Sequence, residues 1–139
     1  METLAAKKTH ASQQLNRLEQ LESKNIELEQ SIRYAQLLQQ SILPNEQLFK
    51  NAFADAFVIF KPKDILSGDF YWMFAYEDEV YFAVADCTGH GVPGALLNVA
   101  GNTLLNQIIK TEGITDPSDI IAMLDQELIA LFNENNTKG

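Results

Sequence analysis

The chain has 139 residues, 46% of them hydrophobic, and a formal charge of −9, which leaves room for one domain plus an extension rather than two ordinary domains. Residues 1–46 hold five Lys/Arg against six Asp/Glu and residues 47–139 hold five against thirteen, so the acidic excess lies in the second part and argues against a nucleic-acid surface, which needs clustered Lys and Arg. No apolar run approaches the ~18 residues of a membrane span, the N-terminus lacks a charged-then-apolar leader pattern, and the single Cys87 excludes an internal disulfide and fits a reducing compartment; a soluble, cytoplasmic chain is expected.

From residue 3 to residue 41 there is no glycine or proline, and Gln, Glu, Leu, Lys and Ala dominate, so one long helix is predicted. In a heptad register with a positions at Leu4, Ala11, Leu18, Asn25, Ile32 and Gln39, the d positions are Lys7, Gln14, Leu21, Leu28, Ala35 and Ile42. The apolar seam is continuous from Leu18 to Ile42. Asn25 at an a position favours a parallel two-stranded coil in fixed register, and the flanking pairs Arg17 to Glu22 and Lys24 to Glu29 attract across such an interface. A parallel homodimer through residues 15–42 is therefore expected. The alternative is an amphipathic helix lying on its own domain, with Tyr34, Leu37, Leu38 and Leu43 widening the stripe and docking. Pro44 ends the helix, which divides the chain into a linker and dimerisation helix, residues 1–44, and a domain, residues 45–139.

Residues 55–60, rich in Phe, Val and Ile, read as a first strand. Residues 69–76 read as a second, with Tyr, Trp and Phe giving strong strand preference. The acidic turn Glu77-Asp78-Glu79 then returns the chain through a third, residues 80–86. The last two form a hairpin, and the third, apolar on both faces, is predicted to be central in a covered sheet. Trp72 is read as core rather than as a ligand-stacking ring.

Two carboxylates stand at the ends of these strands. Asp69 follows the Ser67-Gly68 break, and Asp86 opens the loop Asp86-Cys87-Thr88-Gly89-His90-Gly91-Val92-Pro93-Gly94. A carboxylate leaving a strand is held rigidly, and glycines let backbone approach a ligand. Carboxylate, carbonyl and water oxygens suit hard ions such as magnesium and manganese; no Cys/His spacing suggests structural zinc. The loop lacks a P-loop lysine and the spacing of a dinucleotide fingerprint, so nucleotide binding is a poor fit. Asp64 reads as a turn residue, and His90 as a loop-shaping or solvent-facing side chain.

An amphipathic helix is predicted from Gly94 to about Lys110, with Gly101 marking close contact with a neighbour. Asp116-Pro117-Ser118 supplies a cap and a first-turn proline for a second helix reaching about Phe132, and the polar end, residues 133–139, is expected to fray.

Three blocks carry a family resemblance: Ser31-Ile32-Arg33-Tyr34-Ala35-Gln36-Leu37-Leu38-Gln39-Gln40-Ser41-Ile42-Leu43-Pro44, then Lys61-Pro62 with Ser67-Gly68-Asp69-Phe70-Tyr71, then Ala85 to Ala95. In order and spacing they resemble the sporulation stage II protein E (SpoIIE) type of serine phosphatase, in the metal-dependent PPM protein phosphatase superfamily. The resemblance runs from about Ser31 onward and implies an α+β fold: a long coiled-coil helix followed by the first, incomplete part of an α-β-β-α sandwich. It implies two Mn²⁺ or Mg²⁺ ions that activate water for attack on phosphoserine, with Asp86 bridging both ions, the backbone carbonyl of Cys87 adding an oxygen, and Asp69 near the second ion. Asp86 and Asp69 are thus the expected catalytic and metal-binding residues. The family's later Asp-Gly motif and further aspartate have no counterpart here. A histidine acid found in some relatives would fall at Thr88, so that role is not carried to His90. The implied substrate is a phosphorylated regulatory protein, such as an anti-sigma-factor antagonist. The rival reading is a non-catalytic coiled-coil dimerisation and partner-binding module.

Overall fold

The computed structural model describes residues 4–136. Uninterrupted by glycine or proline, the N-terminal stretch forms one helix, α1 (Leu4–Ile42). The chain divides into two units, Met1–Ala35 and Gln36–Gly139. In the first, Leu18, Leu21, Ile26 and Leu28 are all more than half exposed, and Arg33 pairs with Glu29 one turn back at 2.7 Å. Both partners of that pair are well exposed, so it adds little stability.

In the last turns of α1, within the second unit, Leu37 and Leu38, which the alternative reading docks, remain more than half exposed, while Leu43 packs against the core. The residue buried in this stretch is Gln39, because its amide finds two backbone partners in the loop before the first strand.

A short helix that the sequence reading did not anticipate follows, α2 (Glu46–Ala52). Asn45 caps it, its Oδ1 accepting from the Leu48 N–H at 3.0 Å, and Phe49 meets the Tyr71 ring at a centroid distance of 6.0 Å. The Pro-Asn-Glu sequence was the available signal, a cap residue followed by an acid at the positive helix end.

The strand predicted over residues 55–60 does not form. Among the described residues the segment pairs with neither strand of the two-stranded sheet, and Phe57 is left 84% exposed. The sheet consists of β1 (Phe70–Tyr76) and β2 (Glu79–Ala85), antiparallel, with Phe70 opposite Ala85 and Tyr76 opposite Glu79. Glu77 takes a positive φ of 53° in the turn between them. Nor is β2 central: it pairs only with β1, and one of its faces leaves Phe82 and Val84 70% and 82% exposed. Tyr81, Ala83 and Ala85, on its other face, pack on the core.

Helix α3 (Gly91–Leu105) runs into a π-helical turn, Asn106–Thr111, where the expected single helix widens and the Glu112 N–H bonds the carbonyl of Gln107 at 3.0 Å. Helix α4 (Pro117–Asn136) is capped by Asp116, which accepts from the Ser118 N–H at 2.8 Å. It extends past the expected end into the stretch read as frayed, while residues 137–139 lie outside the described residues. The core gathers Phe70 and Trp72 from β1, Leu105 and Ile108 to Ile109 from α3 and its π turn, and Ile120 from α4. A Cβ on Gly101 would come within 3.0 Å of the Phe70 ring, the close contact predicted for that glycine. Trp72 is a core residue, as read, with its indole N–H donating to Asn106 Oδ1 at 3.2 Å. Among the described residues no helix is long and apolar enough to cross a membrane.

Candidate metal centre

The hairpin register brings the two predicted carboxylates together. Phe70 and Ala85 are paired at the open end of the hairpin, so the residues just beyond them, Asp69 and Asp86, leave the sheet side by side. Desolvation of Asp69 and, after it, the hydrogen-bonding and charge interaction with the adjacent Asp86 push the Asp69 carboxyl up from its ordinary value. Two adjacent carboxylates resist full ionisation, and a shared proton or a cation relieves the repulsion.

Backbone packing holds the loops around this pair. A Cβ on Gly94 would fall 2.7 Å from the Gly89 carbonyl oxygen and 3.2 Å from the Gly68 Cα, so glycine there allows the start of α3 to close against both loops. Two buried amides then clip the segment carrying Asp69. Gln39 donates to the Ser67 carbonyl at 2.7 Å and accepts from the Ser67 N–H at 3.0 Å. Asn98, fully buried on α3, donates to the carbonyls of Ser67 and Asp69 at 3.2 and 2.9 Å.

Neither amide is predicted from sequence to hold the site: the heptad register puts Gln39 on the coiled-coil seam, and Asn98 falls inside an amphipathic helix. A polar residue at an otherwise apolar position was the signal in each case, since a buried amide requires partners.

The two carboxylates open onto a cavity of about 350 Å³ whose wall includes Lys63, Asp64, Ser67, Thr88 and His90. Asp64, read as a turn residue, also faces His90, with Oδ2 3.3 Å from Nδ1. The His90 side chain is 82% exposed and makes no capping bond at the start of α3. Cys87 is partly buried, and burial followed by the charges of Asp69 and Asp86 pushes its thiol up, so it stays protonated and is a poor nucleophile. The donors are hard oxygens that suit Mg²⁺ or Mn²⁺. Among the described residues, however, no three His, Cys, Asp or Glu side chains converge as a metal cage, so the pair fits a cation that keeps several waters or takes further ligands.

No protein-family model matches the chain, and no curated protein matches it. Among solved structures it is similar to the SiaA-PP2C domain of Pseudomonas aeruginosa, with a TM-score of 0.67 and 36% sequence identity. The chain has the fold of part of a PP2C domain. The match covers 74% of this chain and 42% of that one, so the chain spans less than half the length of its PP2C neighbour. PP2C phosphatases belong to the PPM superfamily, and the likeness supports that wider assignment.

Proposed function

We propose that this chain is part of a metal-dependent serine/threonine phosphoprotein phosphatase of the SpoIIE type, with residues 1–44 as a linker and dimerisation helix and residues 45–139 as the N-terminal part of the catalytic domain. The observation that carries this reading is the convergence of Asp69 and Asp86 at one end of the hairpin on a PP2C-like fold.

Mn²⁺ or Mg²⁺, when bound, supplies an activated water and neutralises phosphoryl charge. Asp86, Asp69 and the backbone carbonyl of Cys87 would hold it. The chain's own residues set the conditions. Any proton held by the raised Asp69 carboxyl must leave before both carboxylates can serve as ligands. Lys63, among the described residues the one Lys or Arg on the cavity wall, would attract the anionic phosphoryl group, and the protonated Cys87 thiol leaves attack on phosphorus to water. The substrate on this reading is a phosphorylated regulatory protein of the anti-sigma-factor antagonist type. The exposed leucines of the first unit support a parallel homodimer through residues 15–42.

A second reading is a non-catalytic dimerisation and partner-binding module. The lack of a three-ligand cluster among the described residues favours it. The two are separated by measuring Mn²⁺ binding and Mn²⁺-dependent hydrolysis of p-nitrophenyl phosphate, with Asp86→Asn alongside. Turnover that needs both Mn²⁺ and Asp86 supports the phosphatase; Mn²⁺ binding through Asp86 without turnover supports the module. Absence of any Asp86-dependent binding would sink the metal centre itself.

A further inference from the structure

A second cavity, of about 420 Å³, lies within the second unit, away from the Asp69–Asp86 pair, between the end of α1, α2, β1 and the π turn. Its size is at the small end of the range for small-molecule sites. Among the described residues, five of its twelve lining residues are amides, namely Asn45, Gln47, Asn51, Asn102 and Asn106, and the one charged group is Lys110.

The internal bonds of these amides are lopsided. Asn45 Oδ1 is taken by the Leu48 N–H, Asn51 Oδ1 by the Gln47 amide, Asn102 Oδ1 by the Asn106 amide and Asn106 Oδ1 by the Trp72 indole. Four amide acceptors are therefore used within the protein, while the NH₂ groups of Asn45, Asn51 and Asn102 are not used in those bonds. Asn102 is only 4% exposed, and its Nδ2 has no protein partner. A buried donor without an acceptor costs free energy until a ligand or water supplies one. Lys110 Nζ lies over the Trp72 and Phe74 rings, 5.7 and 5.1 Å from their centroids; this positions one positive charge at the cavity wall. The remaining wall is apolar, with Leu48, Met73 and Trp72. The π turn that places Asn106 and Lys110 is a local irregularity of the kind often found at functional sites.

We propose that this cavity binds a small monocarboxylate with an aromatic or branched apolar body. Its carboxylate accepts from Asn102 Nδ2 and pairs with Lys110, while its body lies along Leu48, Met73 and Trp72. One lysine matches one negative charge; a dianionic phosphate would leave a charge without a cation. The surplus of donors selects an acceptor-only head group.

Trp72 is the only tryptophan and lines the cavity, so it reports directly on occupancy. The full chain is titrated with phenylacetate and with its neutral isostere phenylacetamide, following Trp72 fluorescence and the ¹H–¹⁵N resonances of the side-chain amides. Expected are saturable binding of phenylacetate, movement of the Asn102 NH₂ resonances, and at least about tenfold weaker binding in Lys110→Met, on the scale of one charge-assisted contact. Phenylacetamide is expected to bind more weakly to the native chain and to be indifferent to that substitution. Lys110 is exposed, so the variant should remain folded, as its amide spectrum will show. Non-saturating fluorescence change, shifts that map away from Asn102, or equal phenylacetate affinity in Lys110→Met would each overturn the proposal. None of these readouts involves the metal centre or its activity.

Discussion

Asp69 and Asp86 show how one residue sets the chemistry of another. Two of the three influences that raise the Asp69 carboxyl come from Asp86. Asp86→Asn should therefore let the Asp69 carboxyl titrate nearer its ordinary value of 3.8, which a ¹³C carboxyl titration would read; an unchanged midpoint would show that desolvation alone holds it up. The sign for stability follows from the direction. A raised carboxyl binds its proton more tightly in the folded chain, so its contribution is fully present below the unfolded value and is lost as pH rises through the folded one. Mn²⁺ competes with that proton. Its affinity should fall as the solution is acidified, beginning at a pH above the ordinary carboxylate range. At Gly94 the constraint is steric: Gly94→Ala places a methyl group 2.7 Å from a backbone oxygen, and a loss of about 1–3 kcal/mol is expected in urea unfolding.

Among the elements, α1 and α3 meet the site through amides rather than through apolar packing alone. Gln39→Ala removes both bonds to Ser67 and leaves a buried N–H without its partner. The expected cost is about 1–3 kcal/mol, with faster amide exchange in residues 67–69 and unchanged protection in α4; uniform loss of protection would make Gln39 a general packing residue instead. The start of α4 gives a separate pH test. Bonds from the Ser118 side chain and backbone, and from the Asp119 backbone, hold the exposed Asp116 carboxyl below its ordinary value. A depressed carboxyl stabilises the fold above its unfolded value and loses that contribution as pH falls through the folded one. Asp116→Ala should consequently lose less stability than the native chain between neutral and strongly acidic pH, as thermal unfolding across that range would show.

For the whole molecule, the question is what covers its apolar surface. Leu18, Leu21 and Leu28 share an exposed seam in the first unit, and a parallel coil would bury it. Light scattering should give a dimer, and Leu21→Asp with Leu28→Asp should give a monomer; a monomeric native chain would remove the coil. Phe57, Phe82 and Val84 are also exposed. Phe82 and Val84 lie on one face of β2, and the match to the PP2C neighbour covers 42% of that chain.

Local rules sufficed for what depends on neighbours in sequence. The long helix follows from an unbroken run of helix formers, the hairpin from two aromatic and apolar runs around a short turn, and the α4 start from Asp116-Pro117-Ser118. The pairing of Asp69 with Asp86 was legible too, because both stand at the same end of that hairpin. Tertiary structure decided the rest. Residues 55–60 have strand composition but pair with no strand, and hydrogen bonding to a distant segment cannot be read from local preference. Gln39, Asn98 and Asn102 look alike as polar residues on helices; only the packed chain shows that the first two clip the Asp69 loop while the third retains a buried donor. A side-chain amide is neutral in pattern and costly in burial, so its role is determined by which acceptor the fold brings within about 3 Å.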